Sequence, residues 1–170
     1  MALSYQRLSP HNESDVRSYQ AVLEQAPGYY LTVEGRLPES DAARKDLNLL
    51  PEGKSLEDKY SVLIQYRAET VGCMDIVRGY PSATTAFIGL LLFTEPHQGR
   101  GLGADVLEYV RSLALSWGCT HLRIAVISTN VRAFGFWRRE GFVEIKRGKN
   151  NRFTGESVVM EAALSKVEAS

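Results

Sequence analysis

The sequence predicts a mixed α/β fold in which six or seven strands form one central sheet with helices on both faces. Residues 60–66 alternate between apolar and more polar side chains, as a half-buried strand does. Residues 86–93 are apolar throughout, which indicates a central strand covered on both sides. Further on, predicted helices at 102–117 and 130–140 enclose a strand-like segment at 122–127. This order of elements is typical of a mixed sheet with helices on its faces.

The first quarter of the chain begins with a predicted strand at residues 3–8, followed by a helix that Asn12 or Ser14 can cap. Residues 27–59 have an irregular pattern with a short helical piece at 40–50. We interpret that stretch as a helical excursion or lid. The first predicted helix carries its apolar stripe at Val16, Tyr19, Val22 and Leu23.

The later strands and helices are separated by short turn signals. The strands at 60–66 and 70–77 are expected to form a hairpin around Ala68 and Glu69. Gly118 ends the helix at 102–117, which has an apolar stripe at helical spacing. The chain closes with two predicted strands and the polar turn between them, at 142–146, 157–162 and 148–155.

The composition is that of an ordinary globular protein, and a length of 170 residues leads us to expect a single domain over residues 1–170. Hydrophobic residues make up 44% of the chain and charged residues 24%. Because 20 basic residues balance 20 acidic ones, we expect no general affinity for nucleic acid or for an anionic membrane.

Patterns for export, membrane insertion and metal binding are missing from the sequence. The N-terminal residues are too polar for a signal peptide, and the apolar run at 86–93 is too short to cross a bilayer. Cys73 and Cys119 have no metal-type spacing and are too few for a disulfide framework. We therefore expect a cytoplasmic protein with reduced thiols and no metal. The three histidines are scattered, at His11, His97 and His121.

Three glycines, Gly99, Gly101 and Gly103, stand at the start of the helix at 102–117. Glycine lets backbone N–H groups turn inward without a Cβ in the way, and a helix start adds unpaired N–H groups and a positive dipole end. Together these features predict an anion site suited to a phosphate or pyrophosphate. Arg100 is expected to add positive charge at its rim. The alternative is a turn in which the glycines only satisfy backbone geometry.

Other phosphate-binding motifs fit this loop less well. A P-loop needs a Lys followed by Ser or Thr after its last glycine, and neither follows here. Gly99, Gly101 and Ala104 do satisfy the dinucleotide fingerprint. However, residues 95–98 separate the strand from the first glycine, and the next strand ends without an acidic residue for a ribose. NAD binding is therefore the weaker alternative.

Two motifs in this region resemble the signatures of the GNAT superfamily of N-acetyltransferases. The (Q/R)-x-x-G-x-(G/A) motif of that family, found at a strand-loop-helix junction, matches residues 98–103. The resemblance is sharp over residues 84–146 and topological over the rest. It implies a mostly antiparallel sheet whose fourth and fifth strands splay apart. The second signature, which opens and follows a helix, is matched by Asn130, Ala133, Trp137, Gly141 and Phe142.

The resemblance implies acetyl-CoA as the cofactor, with the pantetheine arm lying between the splayed strands like an added strand. Backbone groups of Leu91 and Phe93 would bind that arm, and the amides of residues 99–103 would bind the pyrophosphate. Gly89 would suit a bulge that opens the splay, or else it allows a helix to pack closely. The full set of implied cofactor residues is Leu91, Phe93, Gln98, Gly99, Arg100, Gly101, Leu102, Gly103, Asn130, Ala133 and Trp137.

Asn130 and Trp137 have specific implied roles. Asn130 would bond the amide portion of the cofactor, or it caps the helix that follows. Trp137 would flank the reactive end, where the family often places a Tyr that protonates the leaving thiolate. An indole N–H donates a hydrogen bond but is not a useful acid near neutral pH, so the usual acid is absent.

The fourth predicted strand also lacks the Glu that many relatives use as a base, so other catalytic candidates are needed. Asp75 lies on the adjacent strand in an apolar context, where burial would raise its pKa towards that of a useful base. Tyr80, in the next turn, is the candidate to reach the thiol. The alternatives are a solvent-facing Asp75, a packed Tyr80 and water-mediated proton removal. Residues expected to line or seal an acceptor pocket are Tyr29, Tyr30 and Glu34.

We therefore expect transfer of an acetyl group from acetyl-CoA to a primary amine, on a small molecule or at a protein N-terminus. Because Trp137 replaces the acid, a non-catalytic acyl-CoA-binding module stays open as a second hypothesis. The two differ in whether the cofactor turns over when an amine is offered. A homodimer also stays open, because dimers are common in the family.

Overall fold

A computed structural model describes residues 2–165, so the two ends of the expected domain lie outside it. The strands are β1 (Leu3–Arg7), β2 (Lys59–Tyr66), β3 (Glu69–Arg78), β4 (Thr85–Phe93), β5 (His121–Ile127), β6 (Val143–Lys149) and β7 (Glu156–Ala163). The helices are α1 (Glu13–Glu24), α2 (Pro27–Val33), α3 (Ala42–Asn48), α4 (Leu102–Ser116) and α5 (Val131–Arg139).

The seven strands form one sheet in the order β1-β2-β3-β4-β5-β7-β6. Neighbouring strands run antiparallel except β4 and β5, which are parallel. The predicted mixed, mostly antiparallel sheet is therefore confirmed. The turn between β2 and β3 is formed by Arg67 and Ala68, both in the left-handed region, one residue earlier than the sequence predicted.

Helices cover both faces of this sheet. Side chains alternate in direction along each strand, so neighbouring residues pack against different sets of helices. One buried cluster joins α1, α2 and α3 to sheet residues such as Cys73 and Leu92. The other joins α4 and α5 to residues such as Met74 and Ile88. The sheet thus separates an α1–α3 side from an α4–α5 side.

Local signals explain most of the helix boundaries. Asn12 caps α1, accepting the N–H groups of Ser14 (2.9 Å) and Asp15 (3.3 Å). The irregular stretch 27–59 contains α2 as well as the expected α3, and only α3 was predicted from the sequence. The predicted apolar stripe of α1 is buried at Val16, Tyr19, Val22 and Leu23.

The splay between β4 and β5 is the feature of the sheet that creates space. The two strands pair only from Thr85 opposite His121 to Ile88 opposite Ile124, and then separate. On the other side of β4 the register shifts by one residue, which leaves Gly89 as the extra residue of a bulge. The predicted splay and the bulge at Gly89 are therefore both confirmed.

Within the described part of the chain, no helix is both long and apolar enough to cross a membrane. Cys73 and Cys119 are free thiols, and both are buried.

Candidate functional site

The splay opens a cleft of about 900 Å³ beside the C-terminal half of β4. Its walls are the separated ends of β4 and β5, the loop that leads into α4, one side of α5, and part of α2. Of the cofactor residues implied by the sequence, all except Arg100 line this cleft: Leu91, Phe93, Gln98, Gly99, Gly101, Leu102, Gly103, Asn130, Ala133 and Trp137.

The splay leaves backbone polar groups of β4 facing the cleft. Just past the end of β4, Thr94 donates its N–H to the carbonyl of Val71 on β3 (2.9 Å). Because backbone groups alternate in direction along a strand, those of Leu91 and Phe93 point away from β3, towards the side that β5 has left. Gln98 Nε2 already donates to the carbonyl of Phe93 (2.8 Å). The groups that can accept an added strand are therefore those of Leu91 and the N–H of Phe93.

The glycine loop has the backbone geometry that an anion site needs. Gly99 and Gly101 lie in the left-handed region, with φ of 72° and 78°. Gly101 caps α4 without any side-chain hydrogen bond to the first amides of the helix. A Cβ added to Gly101 would meet no atom within 4 Å. The start of this 15-residue helix therefore has open space beside Gly101 at its positive end, which suits a phosphate group.

Gly103 has a different reason to be glycine, because a Cβ there would lie 2.9 Å from Cζ of Phe136 on α5. This close contact brings α5 against the first turn of α4.

Positive charge at the loop comes from α5. Nη2 of Arg132 lies 2.5 Å from the position of a Cβ on Gly99, so the guanidinium lies directly over the loop. Arg100 is exposed and does not line the cleft. Arg132 was not predicted from the sequence, because only the fold brings the two segments together.

Both residues with specific implied roles line the cleft, and both also have structural roles. Asn130 caps α5, because its side-chain oxygen accepts the N–H of Ala133 (3.3 Å). Trp137 is 8% exposed, and its ring packs edge-on against Phe136 and Phe142 with centroids 5.1 Å apart in each pair.

Asp75, the expected base, lies on the α1–α3 side of the sheet with both carboxylate oxygens engaged. Oδ2 accepts from Lys59 Nζ (2.9 Å), and Oδ1 accepts from Ser61 Oγ (2.7 Å). The Lys59 side chain is only 4% exposed and also donates to the carbonyl of Leu49 (2.8 Å). Asp75 does not line the cleft, but its Oδ2 lies 3.1 Å from the position of a Cβ on Gly89, which does.

Tyr80 lies at the other end of β4. Its ring packs edge-on against Phe87, with the centroids 5.8 Å apart, and its N–H donates to the carbonyl of Thr85 (2.9 Å). Both partners belong to the half of β4 that still pairs with β5. The structure therefore does not bring Tyr80 to the cleft.

Hydrogen bonds join the α2 wall of the cleft to the loop before α5 and to the β6–β7 turn. Thr154 Oγ1 donates to the carbonyl of Thr32 (2.5 Å), and its N–H donates to the carbonyl of Val33 (2.9 Å). Thr129 Oγ1 lies within hydrogen-bond distance of Thr154 Oγ1 (2.8 Å). We call Thr32, Thr129 and Thr154 the threonine junction. It ties α2 to the β5 side of the splay.

Asp46 on α3 is a carboxylate that the sequence did not single out. Burial raises its pKa to about 6, with Asp75 and Glu34 adding to the effect and Arg152 and Lys59 opposing it. Within residues 2–165, no hydrogen bond to this carboxylate contributes to the shift.

The carboxylate of Asp46 also affects the pKa of Tyr29 on α2. Burial raises the pKa of Tyr29, and the carboxylates of Glu34 and Asp46 raise it further. Tyr29 lines the cleft. Neither carboxylate lines the cleft, and Glu34 pairs with Arg36 (3.9 Å) and Arg152 (3.6 Å), so this wall is formed by Tyr29 and its neighbours on α2.

Comparison with known families agrees with this geometry of splayed strands, glycine loop and uncapped helix. Residues 17–142 match the model of the acetyltransferase (GNAT) family. The chain belongs to the GNAT family. This GNAT protein is also similar to an acetyltransferase from Thermus thermophilus, with 28% identity, a TM-score of 0.79, and coverage of 96% of this chain and 98% of that one.

Two other relatives extend the comparison. Thialysine N-epsilon-acetyltransferase from Bos taurus is 30% identical over 71 residues. The match covers 39% of this chain and 42% of the bovine enzyme, which is less than half of that relative's length. A GNAT acetyltransferase from Elizabethkingia anophelis, solved with acetyl-CoA bound, has 14% identity, a TM-score of 0.64, and coverage of 95% of this chain and 98% of that one.

Family membership settles three of the sequence predictions. The GNAT resemblance and the predicted fold class are confirmed, and the family uses acetyl-CoA, as expected. The chain therefore belongs to a family of acetyltransferases.

Proposed function

We propose that this GNAT protein is a single catalytic domain that transfers an acetyl group from acetyl-CoA to a primary amine of a small molecule or a protein N-terminus. One observation carries the proposal: the uncapped start of α4 at Gly101 opens into free space directly beside the splayed strands. An anion site and a strand-like binding edge thus share one cleft, as a ligand with a pyrophosphate and an extended amide arm requires.

The residues that would hold acetyl-CoA follow from this arrangement. The amides of residues 99–103 and the guanidinium of Arg132 would bind the pyrophosphate, and backbone groups of Leu91 and Phe93 would bind the pantetheine arm. When bound, the cofactor supplies an acetyl group activated as a thioester. The remaining contacts would come from Gln98, Leu102, Asn130, Ala133 and Trp137.

We propose that Asp46 accepts the proton of the attacking amine indirectly, because its side chain does not line the cleft, whereas Tyr29, on which its charge acts, does. A pKa of about 6 leaves it ionised at neutral pH and yet more basic than an ordinary aspartate. Asp75 is bound by Lys59 and Ser61, so we propose a positioning role for it, beside the bulge at Gly89. Tyr80 has no proposed catalytic role, because its contacts lie at the opposite end of β4.

A non-catalytic acyl-CoA-binding module is the second candidate. It is favoured by Trp137, an indole at the position where the family often has an acidic tyrosine hydroxyl. Both candidates bind coenzyme A, so only turnover separates them.

The test combines calorimetric binding of acetyl-CoA with thiol release when small primary amines or short peptides with a free N-terminus are offered. Gly101→Glu adds a Cβ and a negative charge to the proposed phosphate site. Gly118→Glu is the matched control, because Gly118 follows the other end of α4 with almost the same φ (79°) and the same open space. Each change should cost about 1–2 kcal/mol of stability from left-handed strain, but only Gly101→Glu should abolish binding.

The outcomes separate the hypotheses. Binding together with thiol release on some amine supports the acetyltransferase. Binding without release on any amine favours the acyl-CoA-binding module. No binding by the wild-type protein, or equal loss in the two glycine variants, contradicts the proposed cofactor site.

A further inference from the structure

One side of α5 faces the cleft and carries two arginines. Arg132, Phe136 and Arg139 all line the cleft, because residues four and seven positions apart share a helix face. Phe136 lies between the two arginines and closes on Gly103 of α4. The strip is therefore cationic at both ends and apolar in the middle.

The two guanidinium groups are available to a ligand. Arg132 lies over Gly99, and Nη1 of Arg139 lies 3.5 Å from the position of a Cβ on Gly135, so this side chain folds back along α5. The acidic residue of the same wall, Glu140, is paired with Arg111 (3.4 Å). Among residues 2–165, no carboxylate forms an ion pair with either cleft arginine.

The distance between the arginines suits two separate anionic groups. Seven residues of helix place their Cα atoms about 10 Å apart along the axis, and the folded side chain of Arg139 shortens the gap between the charges. Coenzyme A carries two such groups on its nucleotide, a pyrophosphate and a 3′-phosphate. The glycine loop accounts for only the first of them.

We propose that Arg139 binds the 3′-phosphate of coenzyme A while Arg132 closes over the pyrophosphate, so that the protein selects coenzyme A over 3′-dephospho-coenzyme A. This inference rests on the proposed function, since it takes the cleft to be the cofactor site. Arginine suits both positions, because its planar fork donates two hydrogen bonds to a phosphate group.

The experiment measures dissociation constants of coenzyme A and 3′-dephospho-coenzyme A by calorimetry for the wild-type protein and three variants. Arg139→Ala should weaken coenzyme A binding about tenfold and leave the dephospho form unchanged, the size expected for one charge-assisted contact. Arg132→Ala should weaken both forms by about the same factor. Arg138→Ala, which removes an exposed arginine that lies over the Phe134 ring, is the control and should change neither.

Three results would overturn the inference while leaving the cofactor site intact. The wild-type protein could bind both forms equally, Arg139→Ala could weaken both equally, or Arg138→Ala could match Arg139→Ala, which would indicate a general effect of net charge. If the wild-type protein binds neither form, the proposed function fails together with the inference. Melting temperatures of all variants confirm that the binding changes come from folded protein.

Discussion

The two sides of the cleft recognise ligands by different physical means. On the α4–α5 side, the contacts available are backbone amides, a helix dipole and arginines, and Gly101 leaves open space at the start of α4. On the α1–α3 side, the cleft is lined by Gly28, Tyr29, Thr32 and Val33 of α2, which the threonine junction ties to the β5 side, and the carboxylates of Glu34 and Asp46 lie behind this wall. The α4–α5 side suits an anionic nucleotide, and under the proposed function the α1–α3 side receives the amine.

This difference explains how the two binding events can be independent. The positions of backbone groups depend little on the surrounding side chains. The binding groups of the α4–α5 side, the proposed donor side, are therefore placed mainly by the course of the backbone. The α1–α3 side, the proposed acceptor side, depends on individual side chains, which a single substitution can change. Changes on one side should therefore leave the other side's binding intact, and four predictions test that separation, from the largest effect to the smallest.

The largest effect is expected from Asp46→Asn. The variant should lower kcat/KM for the amine by a hundredfold or more, a typical contribution of a general base, on the order of 10²–10⁴. The dissociation constant of acetyl-CoA should not change. In the wild-type protein, kcat/KM should rise as the pH increases through about 6, where Asp46 loses its proton, and this limb should disappear in the variant.

Stability measurements on the same variant exclude damage to the fold. The raised pKa means that burial disfavours the charged form, so folding loses stability as the pH rises from the ordinary value of 3.8 to about 6. Above that pH, Asp46→Asn should be more stable than the wild-type protein, by about 1 kcal/mol after screening by solvent. A less stable variant would contradict the pKa assigned to Asp46.

The second prediction concerns the bulge that separates the two sides. Gly89→Ala would place a Cβ 3.1 Å from Asp75 Oδ2, which Lys59 holds in place. We expect a loss of about 1–2 kcal/mol of stability from overpacking. A misplaced β4 should also lower kcat/KM about tenfold, within the range for small misplacements near a reaction centre.

Gly148→Ala is the control for this change, because a Cβ at that position on β6 meets nothing within 4 Å. Thermal unfolding and steady-state kinetics of the two variants provide the measurement. If both behave alike, Gly89 is not held by the contact with Asp75.

A smaller effect is expected from Thr154→Val, which keeps the size of the side chain and removes its hydroxyl from the threonine junction. Loss of the bond to the Thr32 carbonyl should raise KM for the amine about fivefold, equivalent to about 1 kcal/mol. The acetyl-CoA dissociation constant should stay as it is. An equal loss of donor affinity would mean that the two sides are coupled through the junction.

The smallest effect is expected from Tyr80→Phe. Its ring contact with Phe87 is retained, and the hydroxyl is remote from the cleft, so kcat/KM should change less than about twofold. A loss of a hundredfold would restore Tyr80 as the acid that protonates the thiol, and kinetics with a single amine are sufficient to decide.

The donor side could be predicted from the sequence because its signals are local. Glycines at 99, 101 and 103 lie next to one another and next to the helix they open, and the apolar run that becomes β4 is continuous. The family motifs fall in the same segment. Gly89, a glycine within a bulky strand, indicated the bulge as one of two alternatives, and the register of β3 and β4 shows that bulge.

The acceptor side could not be predicted in the same way. The helix α2 has only seven residues and no side-chain cap, and a hydrogen bond from the N–H of Gly28 to Glu95 (2.8 Å) helps to hold it in place. Asp46 resembles any carboxylate on a short helix until the fold buries it. On the other side of the cleft, the role of Arg132 could not be predicted either, because it depends on the fold placing its guanidinium over Gly99.

The threonine junction has a consequence for how such a protein can diversify. Thr154, in the turn between β6 and β7, bonds to α2 from outside the cleft, and the turn has no part in the glycine loop, so its sequence can change without replacing any residue that lines the cleft. New lengths or sequences at 150–155 would shift α2, and with it Tyr29 and Thr32 in the cleft wall, while leaving the glycine loop unchanged. Under the proposed function, libraries randomised in this turn are therefore a route to new acceptor specificity.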